Sequence, residues 1–313
     1  MRYWRLFMRR CLAFSLALLL FLGGVRDVHA GSDDPSWGRQ LQQWRIDQAA
    51  SLSAPEGWLS LVGLEWLKPG DNSFGTSTDS RIRFHALGNV QFGIIDVDQS
   101  RLRLKVPRAG FPAGLFVDGR PATEQAIVVD GPNPTKFTEG TLAFFVIRRG
   151  DNVALRVKDS QAPTRVEFHG LHWYAPDPRY RIEADWIPFP KPKHEIVENI
   201  IGTKTDGLVL GVAEFTLDGQ EIQLESVVQD ENAKSLLFVI RDATSGKTTY
   251  AASRFLHTGL PDHGLRGPGK IVLDFNRLEN PPCAYTPYAT CPLPPESNRL
   301  KVALGVGELK YSH

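Results

Sequence analysis

Cysteine is scarce in this 313-residue chain, with only Cys11, Cys283 and Cys291. An excess of either charge is missing too: 36 basic residues face 35 acidic ones, a net of +1. That balance leaves no electrostatic footprint for nucleic acid or for an anionic membrane surface. Beyond one N-terminal run there is no long apolar segment, so no span is expected in the mature chain. No internal repeat and no low-complexity tail occur. Motifs of familiar chemistry are also wanting. There is no Gly-x-Ser-x-Gly nucleophile elbow. Ser245-Gly246-Lys247-Thr248 ends like a phosphate loop, yet Arg241 stands where the loop needs Gly, and strand-like sequence follows. His194-Glu195-Ile196-Val197-Glu198 lacks the second His of a zinc protease. His169 and His172 flank Gly170 in an extended segment and fall on opposite faces. No metal site and no cofactor are expected.

What is present begins with export. Arg2, Arg5, Arg9 and Arg10 precede an apolar run from Cys11 to Gly23, and Val28-His29-Ala30 offers small residues for cleavage. Residues 1–30 read as a secretory signal peptide, which places the mature protein in the periplasm or outside the cell. Removing its five Arg and one Asp leaves 31 basic against 34 acidic residues, a net of −3. Two cysteines remain, separated by seven residues. In an exported chain such a pair reads most simply as a disulfide between Cys283 and Cys291. Two free thiols in an apolar pocket are the alternative, and metal binding a third without zinc-knuckle spacing.

The fold reads as mainly β, with 28 Gly and 22 Pro marking many turns. Residues 31–56 carry one helix and a linker. Trp37, Leu41, Trp44 and Gln48 fall on a single stripe between Pro35 and about Leu52. Residues 57–174 read as a β-sandwich. Arg101-Leu102-Arg103-Leu104-Lys105-Val106 alternates apolar and cationic side chains, and short strands follow at 115–117, 126–129, 142–147 and 153–157. Residues 175–313 read as a second β unit, an antiparallel meander that could close as a barrel or a second sandwich. Strands are expected at 180–186, 194–200, 207–217, 221–228, 235–241, 247–250, 270–275 and 301–304. Asp218-Gly219 marks a hairpin.

The densest chemistry lies in residues 274–300, where a proline run forbids helix and central strand. A stiff loop of this kind is where a site would sit. Asp274 and Asn276 are two apart and expected on one strand face. Arg254 could neutralise Asp274 or hold an anion through its planar fork. With Tyr250, Arg277, Asn280, Asn298 and Glu308 these form a candidate polar binding site beneath the loop. The competing reading has the same groups satisfying the loop's own backbone. Asp274 and Glu308 are the candidate catalytic bases.

The run Arg241-Asp242-x-Thr-Ser-Gly-x-x-Thr-Tyr250-x-x-x-Arg254-Phe255-Leu256 leads to Asp274-Phe275-Asn276. Asn280-Pro281-Pro282-Cys283, Cys291-Pro292-Leu293-Pro294-Pro295, Asn298-Arg299-Leu300 and Gly307-Glu308 follow. Together these resemble the bacterial domain of unknown function family 1684. Gly57-Trp58-Leu59, Gly63-Leu64, Trp66-Leu67 and Asn72-Ser73-Phe74-Gly75 fit the same family. Leu278-Glu279 and Gly305-Val306 depart from its pattern without removing a polar side chain. The resemblance implies no known activity. Residues 66–158 are also similar in strand order to forkhead-associated sandwiches, although Thr76 replaces the phosphate-binding Arg and no Ser-x-x-His occurs.

Three functions follow as expectations. The first is an exported soluble protein that binds a small polar or anionic ligand, or a partner, under the loop. The second is a hydrolase of a small polar substrate using a carboxylate base. The third is a structural envelope protein with no small ligand.

Overall fold

The structure is a computed structural model and describes residues 35–84, 88–99, 101–129 and 133–312. The signal-peptide reading concerns residues outside that set. Among the described residues no helix is long and apolar enough to cross a membrane.

The helix predicted from the stripe is α1 (Pro35–Leu52). A single 3-10 turn at Trp58–Ser60 follows. The next eleven strands are β1 (Leu61–Trp66), β2 (Gly70–Gly75), β3 (Ile82–Arg83), β4 (Gln91–Asp98), β5 (Arg101–Lys105), β6 (Phe116–Val117), β7 (Arg120–Pro121), β8 (Gln125–Ala126), β9 (Lys136–Glu139), β10 (Leu142–Arg149) and β11 (Asn152–Asp159). They form a six-stranded sheet, β1-β11-β10-β9-β6-β7, and a five-stranded sheet, β3-β2-β4-β5-β8. The alternation in β5 works as read: Leu102 and Leu104 are buried while Arg101 and Arg103 are exposed. Phe74 and Phe92 of one sheet pack against Phe144 of the other at centroid distances of 5.7 and 5.8 Å. These rings make a sandwich core. Thr76, where a phosphothreonine-binding sandwich would carry Arg, is buried and accepts the Val90 N–H at 3.1 Å.

After a short helix α2 (Pro163–Val166) come β12 (Arg181–Glu198), β13 (Lys204–Leu217), β14 (Gln220–Val228), β15 (Leu236–Ile240), β16 (Arg254–Thr258) and β17 (Gly269–Asp274). The second unit is an open antiparallel sheet, β14-β13-β12-β17, with a two-stranded ribbon, β15-β16. No sheet among the described residues closes into a barrel. Asp218 and Gly219 both have positive φ, 50° and 74°, as a two-residue hairpin with the right twist requires. Expected strands at 180–186 and 194–200 are one long strand. Pro188, Pro190 and Pro192 are tolerated because β17 pairs with β12 only as far as Trp186, opposite Gly269, and the register with β13 breaks between Pro188 and Lys193. At Gly211 a Cβ would lie 2.5 Å from the Ile187 carbonyl oxygen, so the bulge needs glycine there.

Two expected strands are absent. Residues 247–250 form tight turns: the amides of Lys247, Thr248 and Thr249 all donate to the Thr244 carbonyl. Residues 301–304 make only scattered backbone bonds, such as Ala243 N–H to the Val302 carbonyl. Strands β2, β4, β7, β9 and β16 were not foreseen.

The turn between β1 and β2 hangs on Asn72, which is wholly buried. Its Oδ1 accepts the Lys68 N–H at 2.9 Å, and its Nδ2 donates to the carbonyls of Lys68, Gly70 and Ile95. Replacement by alanine strands these buried groups. Asn72→Ala should lower unfolding free energy by about 2–4 kcal/mol in urea titration; a loss under about 1 kcal/mol would show the turn is held by something else.

Candidate functional site

The helix α1 builds the site by lying against the second β unit. Leu41 is buried, and the indole N–H of Trp37 donates to Asp274 Oδ2 at 2.8 Å. Trp44 meets Trp173 edge-on, and the guanidinium of Arg277 sits over the Trp44 ring at 5.6 Å. Gln48 donates to Glu279. The stripe predicted from the sequence is therefore one wall of a cleft. Its other wall carries His257, Thr258 and Gly259 at the end of β16, with Arg277 and Glu279 beyond β17; the space is about 430 Å³.

Two features distinguish this mouth. His257 Nε2 lies 3.4 Å from Glu279 Oε1, and the imidazole side chain is more than half exposed. Arg277 has its Nε 3.7 Å from Asp274 Oδ2, but makes no hydrogen bond among the described residues. Stacked on a ring and held near a carboxylate, it keeps its terminal N–H fork open.

A smaller space of about 110 Å³ shares Gln48 and Glu279 with the mouth and is lined by Leu52, Trp58, Asn280, Tyr285 and Glu308. Glu308 is 1% exposed. Its Oε1 accepts the Tyr285 hydroxyl at 2.6 Å and Asn280 Nδ2 at 2.8 Å; its Oε2 accepts the Asn280 backbone N–H at 2.8 Å. Three donors favour the anion, but burial outweighs them and pushes the carboxyl up to about 7. Burial, and then the nearby Glu308, raise the Tyr285 hydroxyl well above its usual range. Asn280 Oδ1 is buried and has no partner among the described residues, an acceptor facing a crevice.

Other residues expected at the site are occupied elsewhere. Arg254 does not neutralise Asp274. It is wholly buried and pairs with Asp242 at 2.8 Å, while its remaining fork donates to the Leu304 and Val306 carbonyls. Asp274 and Asn276 do not share a strand face, because β17 ends at Asp274 and Asn276 lies in a 3-10 turn. Asn276 Nδ2 donates to Asp274 Oδ1 and to the Asp177 carbonyl, and its Oδ1 takes the Asp177 N–H. Asn298 clamps the chain near Glu225 and Val239. Tyr250 donates its hydroxyl to the Cys283 carbonyl at 3.0 Å. Of the expected set, only Asn280 and Glu308 line the cleft, with Arg277 from the wider constellation. His257, Glu279, Gln48 and Trp44 were not foreseen as site residues. No motif marks them; the helical stripe was the one signal for two of them.

The loop itself is gripped from both sides. Ile200 N–H donates to the Cys291 carbonyl, Leu293 N–H to the Glu198 carbonyl, and Thr286 Oγ1 to the Leu61 carbonyl. Cys283 and Cys291 are free thiols. Cys291 Sγ accepts the Cys283 N–H at 3.1 Å, and the thiol contact stabilises a Cys283 thiolate and pushes Cys291 up. No group of three or more potential metal ligands occurs among the described residues.

Residues 166–309 match the model of the protein of unknown function family DUF1684. The chain belongs to that family. A solved relative is the solution NMR structure of an uncharacterized protein of Haloarcula marismortui, 35% identical, covering 46% of this chain and 78% of that one, with a TM-score of 0.39. No curated protein matches. The DUF1684 segment contains His257, Arg277, Glu279, Asn280 and Glu308; Trp44 and Gln48, on the opposite wall, lie before it.

The Glu308 carboxyl gives a pH signature. It releases its proton near 4.5 in the unfolded chain but only near 7 in the fold. Between these values the folded state binds more protons, so stability falls as pH rises through that window. Relative to Glu308→Gln, the wild type should lose up to about 3 kcal/mol between pH 4.5 and 8 in urea unfolding. Parallel profiles for the two proteins would contradict a buried acid titrating there.

Proposed function

We propose that this DUF1684 protein is an exported binding protein for a small polar ligand with an anionic group. The reading places the ligand in the cleft between α1 and the loop of residues 274–300. One observation carries it: Arg277 is oriented by Trp44 and Asp274, yet donates no hydrogen bond among the described residues. An oriented guanidinium with an open fork suits a carboxylate or phosphate. The His257 imidazole offers a further ring N–H on the same cleft wall, and the unpartnered Asn280 Oδ1 offers a neutral acceptor deeper in.

A second reading, a hydrolase, is favoured by the His257–Glu279 pair. A carboxylate that orients an imidazole at a cleft mouth is a general-base arrangement. The earlier candidates suit that role less well. Asp274 is engaged by Trp37 and Asn276, and Glu308 is buried behind Tyr285.

Calorimetric titration with phosphate, citrate and glutamate tests the main reading. At least one anion should bind, more weakly at higher salt. Arg277→Ala should weaken it about tenfold or more with little change in melting temperature. Absence of binding by all three, or binding indifferent to Arg277, would remove the proposal. Hydrolysis of a nitrophenyl ester lost in His257→Ala would instead support the enzyme.

Export and the disulfide belong to the same reading. Contacting thiols in a stiff loop are placed to oxidise, each losing a hydrogen to a disulfide donor in an oxidising compartment. Protein isolated from the periplasm without reductant should resist alkylation at Cys283 and Cys291 and be lighter by two hydrogens. Two alkylated thiols would refute this.

A further inference from the structure

Three exposed large apolar side chains, Trp66, Ile201 and Tyr288, gather at one open depression of about 480 Å³. It is assembled from four segments far apart in sequence. Leu64 and Trp66 come from the edge strand β1, and Asn152 opens β11. Ile201 and Thr203 come from the β12–β13 turn, and Pro287 and Tyr288 from the loop between the cysteines. The depression shares no lining residue with the cleft at Arg277.

Its chemistry differs from that cleft. None of its seven lining residues is charged. The Trp66 indole N–H, the Tyr288 hydroxyl, the Asn152 side-chain amide and the Thr203 hydroxyl make no hydrogen bond among the described residues. An anion or cation would find no counter-charge here. A purely aliphatic ligand would cover four polar groups without satisfying them, which is costly. A ligand that fits must combine an apolar face with neutral donors and acceptors around its rim.

We propose that this depression binds a neutral saccharide. A pyranose ring presents a C–H face that stacks on an aromatic ring, and its hydroxyls both donate and accept. Trp and Tyr offer the complementary combination, a wide apolar body with one polar end. The space lies within the range of small-molecule sites, about 300–1,000 Å³.

The test is calorimetric titration of the purified protein with cellobiose, chitobiose and maltose at low and high salt. At least one should bind, with an affinity that does not change with ionic strength, as a neutral ligand requires. Trp66→Ala should weaken binding about tenfold or more, and Tyr288→Phe, which keeps the ring, by a smaller factor. Arg277→Ala should leave it unchanged, so this outcome is separable from that of the anion cleft. If Trp66→Ala lowers the melting temperature, Tyr288→Phe alone decides. Failure of all three disaccharides to bind would overturn the proposal. So would full binding in a folded Trp66→Ala protein, binding that weakens with salt, or loss in Arg277→Ala.

Discussion

The buried ion pair between Arg254 and Asp242 is the constraint on which the geometry of the cleft depends. Taking two charges out of water costs several kcal/mol per ion, and their attraction alone does not reliably return it. Here the guanidinium also binds the carbonyls of Leu304 and Val306, and Asp242 Oδ1 takes the Leu304 and Thr244 N–H groups. Apart from Arg254 Nε, which is buried without a partner among the described residues, the pair thus turns its hydrogen bonds to fixing a C-terminal segment that has no strand ladder. The result is positional: the chain reaches Gly307 at a set depth. Gly307 has φ +80°, and a Cβ there would lie 2.7 Å from both Leu278 Cβ and the Leu278 carbonyl oxygen. Only glycine lets the backbone pass so close, and the next residue, Glu308, then lands beneath Asn280.

The other wall comes from the opposite end of the sequence. An isolated helix of this length is marginal in water, and most of its stability must come from the face it buries. In α1 that face is spent on Asp274, Arg277 and Glu279, the residues immediately around the end of β17. Packing and site formation are therefore one event. The matched DUF1684 segment holds the ion pair, the loop and the buried acid, while the helix supplies the aromatic surface that orients Arg277. Changes in α1 can alter the mouth of the cleft without disturbing the acid beneath it.

Much of this was legible in the residues. Alternation fixed β5 and its inward face, Asp218-Gly219 fixed a hairpin, and the Trp37-Leu41-Trp44-Gln48 stripe fixed a helix and its buried side. What failed did so for a common reason. Polar side chains near an irregular loop have two uses, and spacing does not distinguish them. Arg254 and Asn298 resemble ligand-binding groups in sequence, but both are consumed by backbone carbonyls that have no ladder partner. Those carbonyls, and the Asp177 carbonyl to which Asn276 donates, lie outside residues 274–300, so the side chains brace neighbouring segments instead of the loop's own backbone. His257 and Glu279 meet only because Phe255 and Glu279 exchange two backbone hydrogen bonds across the β16 edge. Nothing local to either residue announces that pairing.

The two carboxyls flanking Asn280 divide the cleft by environment. Glu279 lines the mouth, beside His257 and Gln48; Glu308 is enclosed, and burial keeps its proton on toward neutral pH. Burial, which outweighs three hydrogen-bond donors, thus makes Glu308 a weaker acid than an ordinary carboxyl. This gradient constrains any ligand. An anionic group driven inward would lose its hydration beside Glu308 and Tyr285, with no cation to compensate. At the mouth it keeps water and meets the open fork of Arg277. The orientation that costs least puts charge at Arg277 and a neutral donor toward Asn280 Oδ1. A ligand recognised in this way is asymmetric, ionic at one end and hydrogen-bonding at the other.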